Sequence, residues 1–268
     1  MIPIDNNITL KTSIDIARIR RSCRIVEKTL RLLKDYIHPG ISTLDLNSIA
    51  EKYIIDNGAI PALKGFKGFP AAICTSVNNV IAHGKPNNYK LEDGDIITID
   101  TTVSIDGWFG DGAWTYFVGS SNPDKERLLK AAWQANLMGI SRAKAGYFTG
   151  DIGNIITKTA EMLGCSIAEE YAGHGIGKRI HEDPIIPNIG EKNTGIRIVP
   201  GMVFTVEPML SLGSSNIAKM NDGWTLVTDD GSLSAQFEHT VAVFRDYTEV
   251  LTFSSGKITD YIDFPPFF

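Results

Sequence analysis

The sequence predicts an α/β (α+β) fold of two halves related by a pseudo-twofold axis, each with helices laid outside a curved, mostly antiparallel sheet. An internal repeat carries this reading. At an offset of 106, Gly40 aligns with Gly146, Thr43 with Thr149, Asp45 with Asp151, Leu46 with Ile152, Ile49 with Ile155 and Gly58 with Gly164. At an offset of 107, the run from Gly94 to Asp100 lies under the run from Gly201 to Glu207, both reading as short buried strands that finish in an acid. A site on the axis would draw ligands from both halves.

The elements follow in order. Thr12 and Asp15 form a capping-box pattern, and Ile16, Ile19, Cys23, Val26, Leu30, Leu33 and Ile37 recur at three- and four-residue steps, which predicts a first helix from Thr12. His38-Pro39-Gly40 ends it. A second helix spans residues 43–57 with Gly58 as its C′ residue, and a Gly/Pro-interrupted aromatic segment, LKGFKGFPAAICTSV, comes next. Asp106-Gly107 is a hairpin-turn signal that makes Asp100 and Asp111 neighbours across two strands. Late in the chain, GWTLVTDDGSLSAQFEHTVAVF repeats the arrangement, with Asp230-Gly231 as the turn that returns Glu238 on an apolar strand. No linker separates the halves, at about 12–118 and 119–253, so residues 1–268 are read as one catalytic domain ending in an aromatic, Pro-containing tail, 254–268.

A chain of 268 residues, 43% hydrophobic, can bury a large core, and a formal charge of -5 leaves no basic stripe to track nucleic-acid phosphates. The N-terminal segment lacks the ordered regions of a secretory signal, and no apolar run reaches membrane-spanning length. Cys23, Cys74 and Cys165 are odd in number and form no CxxC pair, which argues against disulfides and thiolate zinc and for a reducing, cytoplasmic location.

The chemistry concentrates in four acids. Ile99, Val206 and Phe237 immediately precede Asp100, Glu207 and Glu238, so three acids are embedded in apolar strands, where a bare carboxylate is expensive. Were they to converge with Asp111, each pair at about 4 Å would repel by about 4 kcal/mol at an effective dielectric near 20. Two divalent cations would neutralise four carboxylates, and oxygen-rich ligation with one imidazole suits manganese, iron or cobalt. Of five histidines, three sit in Gly- or Pro-flanked segments: His83 in IAHGKPN, and His174 and His181 in YAGHGIGKRIHEDP. HEDP lacks the second histidine of HExxH. His38, beside a helix-ending proline, and His239, next to Glu238 and so facing the other side of its strand, are read as structural.

GHGIGKRIHEDP, the aspartates of IDTTVSIDGWFGD, TVEPML and SAQFEHT occur in an order and at separations that resemble the type I methionine aminopeptidases, members of peptidase family M24 with the pita-bread fold. The likeness runs from Thr12 to Phe253. It implies an enzyme that removes the initiator methionine from nascent chains through a dimetal-activated water, with a preference for a small second residue and the ribosome as a candidate partner. It implies Asp100, Asp111, His174, Glu207 and Glu238 as ligands of two divalent ions, Asp111 and Glu238 bridging, with cobalt, manganese, iron, zinc and nickel all compatible. Glu207 would move protons, His181 would stabilise the charged oxygen and His83 would orient the substrate. Phe66, Phe69, Cys74 and Trp224 would line the methionine pocket of a monomeric, cytoplasmic enzyme with no membrane or sequence-specific nucleic-acid partner.

The chain departs from the family around that pocket. Phe66, Phe69 and Leu63 stand where tyrosines and a cysteine are frequent, Ile180 follows Arg179 where a phenylalanine is common, and Phe109 replaces a histidine. The pocket stays apolar, so methionine still fits while rates on different peptides are open. A proline-directed dipeptidase or aminopeptidase would use the same metal constellation with another pocket. A metal-free binding protein of this fold is the rival from another class, and retention of every ligand position argues against it.

Overall fold

Helix α1 (Ser13–Lys34) starts where its capping box stands. In the computed structural model, which describes residues 7–257, the Asp15 N–H donates to Thr12 Oγ1 at 3.2 Å and the Thr12 N–H donates to Asp15 Oδ2 at 3.0 Å. α2 (Thr43–Asp56) is capped likewise by Ser42 and Asp45, and stops at Asn57 and Gly58, the glycine at φ 71. Three short strands follow: β1 (Ile60–Pro61), β2 (Cys74–Val77) and β3 (Val80–Ala82). β4 (Ile96–Ile105) and β5 (Trp108–Phe117) then form a hairpin about Asp106 and Gly107, whose φ values of 53 and 73 are the left-handed pair a type I′ turn needs.

The second half opens with α3 (Pro123–Arg142) and α4 (Thr149–Met162), and α4 begins and ends 106 residues after α2. Strands β6 (Ser166–Ile167), β7 (Ala172–Gly175), β8 (Glu182–Pro187), β9 (Val203–Val206) and β10 (Met209–Ser211) come next. The chain continues through β11 (Ile217–Lys219), β12 (Leu226–Thr228), β13 (Ser234–Gln236), β14 (Glu238–Val243) and β15 (Thr248–Val250). Among the described residues, no helix is long and apolar enough to cross a membrane.

The main sheet is antiparallel and runs β1-β4-β5-β14-β9-β7-β8, with β2 added to β4 and β15 to β14. β14 therefore joins the halves, with β5 on one side and β9 on the other. Strand alternation separates two faces. A Cβ on Gly110 would lie 2.6 Å from the Cys23 backbone nitrogen, so α1 presses directly on the face that carries Gly110, Gly112 and Trp114. In the second half, Trp133 of α3 packs edge-on against Phe237 at 5.2 Å. One apolar cluster drawn from both halves fills the layer between helices and sheet, leaving the other face to the acids.

Two expectations change here. β4 does not finish at Asp100 but runs on to Ile105, because the hairpin ladder extends to Ile105↔Trp108. The Asp230-Gly231 turn does not close a hairpin either: β12 pairs with β11 and β3, whereas β13 pairs with β10. The Asp230 carboxylate holds that turn itself, accepting the N–H groups of Ser232 at 2.9 Å and Ser214 at 2.7 Å, and so releases the two strands into different sheets. Of the C-terminal tail, residues 258–268 lie outside the described ones.

Candidate metal centre

Register brings the acids to one face. Asp100 pairs with Ala113 and Thr102 with Asp111, so Asp100 and Asp111 are diagonal neighbours on the same side of the hairpin. Glu238 also pairs with Ala113 and shares that side, while His239 turns away, its Nδ1 2.7 Å from Thr252 Oγ1. His239 pairs with Val206, which places Glu207 one step beyond the ladder, alongside Glu238. On the neighbouring strand, His174 stands between two glycines whose absent side chains allow close approach. A Cβ on Gly173 would lie 2.4 Å from the Thr205 carbonyl oxygen, and one on Gly175 2.2 Å from that of Asp183. His174 Nδ1 is 3.0 Å from the Gly175 carbonyl oxygen, and Nε2 faces Glu207 Oε1 at 3.6 Å and Asp111 Oδ2 at 3.8 Å.

The five expected ligands are not equally close. Ligand atoms of Asp111, His174 and Glu238 lie within 4.8 Å of one another, and Asp100 and Glu207 line the same cavity beside them. Burial raises the carboxyl pKa values of all four acids. Neighbouring acids push Asp100, Glu207 and Glu238 further, to well above the ordinary range, whereas the Thr102 hydroxyl, donating to Asp111 Oδ1 at 2.9 Å, pulls Asp111 back. Burial lowers His174 to about 4, which keeps its imidazole neutral and able to ligate. Glu238 Oε1 is buried and accepts no hydrogen bond among the described residues. Crowded acids, an orphaned carboxylate oxygen and a neutral imidazole fit a divalent cation, which would relieve the repulsion and take up the lone pairs.

The cavity measures ≈ 610 Å³. Phe69, Ala71 and Cys74 form a small buried cluster against Leu63 and Trp224, with the Phe69 and Trp224 rings edge-on at 5.2 Å. Phe66 is half-buried and meets the His181 ring at 5.5 Å, so it borders the reacting region and not only the apolar end. His181 in turn lies 4.3 Å from the His174 ring. His83, left-handed at φ 56, stands edge-on to Tyr171 at 5.8 Å and to Trp224 at 6.4 Å, and burial lowers its pKa. All of the expected site residues thus line one cavity.

Three supporting residues escaped sequence reasoning. Asn136, fully buried on α3, donates from Nδ2 to the carbonyl oxygens of Val206 at 2.7 Å and Phe237 at 2.9 Å, tying together the peptides that precede Glu207 and Glu238. Thr205 Oγ1 accepts the His174 N–H at 2.9 Å and donates to Glu207 Oε1 at 2.7 Å. Thr102 supports Asp111 from across the hairpin. The one available signal was an asparagine on the apolar stripe of α3, beside Ala132, Ala135 and Gly139.

Residues 17–244 match the model of metallopeptidase family M24. The methionine aminopeptidase of Clostridium perfringens is 42% identical over 91% of this chain and 98% of its own. That of Rickettsia prowazekii is 41% identical over 97% of this chain and 99% of its own. The crystal structure of the Rickettsia prowazekii protein superposes with a TM-score of 0.91 over 92% of this chain and all of that one.

Proposed function

The chain belongs to metallopeptidase family M24, and on that premise we propose that it is a methionyl aminopeptidase removing the N-terminal, initiator methionine from nascent polypeptides in the cytoplasm, working as a monomer. The observation that carries this reading is a single cavity in which buried acids and a neutral His174 stand beside an apolar wall of Phe69, Cys74 and Trp224. Relatives named methionine aminopeptidase over nearly the whole length support it.

Asp100, Asp111, His174, Glu207 and Glu238 would hold two divalent ions, manganese, iron, cobalt, nickel and zinc all being compatible with that donor set. Bound there, divalent metal supplies Lewis acidity, lowering the pKa of a water toward neutrality and polarising the first peptide carbonyl. Glu207 accepts the proton of the attacking water and hands it to the leaving amine: the Thr205 hydroxyl engages Oε1, which leaves Oε2 for the proton. His181 donates to the carbonyl oxygen as it gains charge, and His83 orients the amide. Phe66, Phe69, Cys74 and Trp224 enclose the unbranched thioether of methionine. The second side chain passes between His83 and His181, whose rings already pack against Tyr171 and Phe66, so a small second residue is preferred.

Chelator-stripped protein is expected to release no methionine from Met-Ala-Ser and to regain release with manganese, cobalt or iron, leaving an Ala-Pro-Ser control intact. Cleavage of the control alone would make the chain a proline-directed peptidase. Folded, metal-loaded protein that cleaves neither peptide would overturn the reading.

A further inference from the structure

The cavity that holds the acids shares Phe66, Lys67, Arg179, Ile180 and His181 with a second cavity of ≈ 600 Å³, so the two adjoin beside His181. Among the described residues, the second is lined by four cations, Lys64, Lys67, Lys178 and Arg179, and by no carboxylate. Its sign opposes both the net charge of -5 and the acidic floor of the first cavity. Glu182, close by in sequence, is already engaged: Lys11 Nζ lies 2.6 Å from Oε2, and the backbone N–H groups of Lys178 and Arg179 donate to Oε1. Lys64 pairs with Glu51, but the Arg179 guanidinium makes no hydrogen bond or ion pair among the described residues, and Lys67 Nζ has the Phe66 ring 5.3 Å away.

An enzyme that buries the first residue of a chain must let the remainder leave. We propose that this basic groove carries the substrate beyond the cleaved bond and favours acidic side chains at its third to fifth residues, an inference that rests on the aminopeptidase reading. Three residues in extended conformation cover about 10 Å, so their side chains pass several of the groove's cations. Because the cations are largely solvent-accessible, the preference is modest and sensitive to salt.

The test compares kcat/KM of the manganese-loaded enzyme on Met-Ala-Asp-Glu-Asp, Met-Ala-Ser-Ser-Ser and Met-Ala-Lys-Lys-Lys. The acidic peptide is expected to exceed the basic one by about three- to tenfold at low salt, the ratio shrinking at high salt. Lys67→Glu with Arg179→Glu is expected to invert the order, and the neutral pair Lys67→Met with Arg179→Gln to bring the ratio near one. Ratios are read within each enzyme, so a general loss of activity cancels. Equal rates on the three peptides, or a ratio that neither salt nor substitution moves, overturns the groove and leaves the aminopeptidase reading standing. No methionine released from Met-Ala-Ser-Ser-Ser overturns both.

Discussion

Asp100 and Asp111 reach the cavity on one hairpin, 11 residues apart in the chain, whereas Glu207 and Glu238 are 31 residues apart and separated by the four short strands β10 to β13. The first pair needs only a two-residue turn and a ladder that runs without interruption from Ile96↔Phe117 to Ile105↔Trp108. The second needs the chain to leave the main sheet, build the wall that carries Trp224, and return beside β9. Asn136 spans the seam between the peptides before the two glutamates. The hairpin ladder thus brings the first pair together, with Thr240 of β14 adding bonds to the Asp111 backbone, whereas the second pair depends on closure and on a cross-link from another layer.

The largest effect is expected at the joint itself. Glu238→Gln should cost more activity than the roughly 10–100-fold typical of residues behind metal ligands. Calorimetry should find its metal binding lost, while the stripped variant melts no lower than stripped wild type near neutral pH, because a crowded, buried carboxyl becomes a neutral amide. Tight metal binding by this variant would remove Glu238 from the centre.

Asn136→Ala comes next. It removes the Asn136 amide from two buried carbonyl oxygens, at a cost of about 1–3 kcal/mol by chemical denaturation. Metal affinity is expected to fall by roughly tenfold or more, since both glutamates lose their shared anchor. Unchanged metal affinity would mean that closure is secured elsewhere.

The pH dependence sharpens the contrast between stripped and loaded protein. Glu207 and Glu238 are raised in the fold above glutamate's 4.5, so their contribution favours folding at acid pH and is lost as pH climbs through the folded-state values. Metal removes that penalty because it takes the ionised form. The Tm gap between manganese-loaded and stripped protein should therefore widen as pH rises from about 5.5 to about 7.5. A gap of constant size would contradict ligation by these acids.

The smallest effect is expected from Thr102→Val, which removes one hydrogen bond to Asp111 within an intact hairpin, worth about 0.5–1.5 kcal/mol. If it weakens metal binding as much as Asn136→Ala does, the contrast between local and closure-dependent acids fails.

Much of the site was legible because its signals are local. A capping box announces α1, Asp106-Gly107 announces the hairpin, and the repeat announces α4 from α2. Even there the copies differ: the Ser42 hydroxyl both gives and receives in its cap, while Phe148 at the matching position has no side-chain oxygen, so its N–H donates to Asp151 Oδ2 at 2.8 Å and the Asp151 N–H turns to the Phe148 carbonyl oxygen at 3.0 Å. The Asp230-Gly231 turn looked like Asp106-Gly107 but joins strands of different sheets, since a turn sets the chain's direction and not its pairing partner. Asn136 showed only as an amide on an apolar stripe and Thr205 only as a hydroxyl two residues before Glu207, because the Val206 and Phe237 carbonyls and the His174 N–H that they engage lie on other strands or in another layer.

The sequence alone determined which residues could ligate, which strands alternate and which loops bend, because these depend on side-chain chemistry and on dihedral preferences of neighbouring residues. Only the tertiary structure decided that β14 lies between β5 and β9, that Asn136 ties Glu207 to Glu238, and that four cations line a groove beside His181. Those arrangements arise from residues far apart in the chain, and burial of one shared core selects them, not any single segment's own preference.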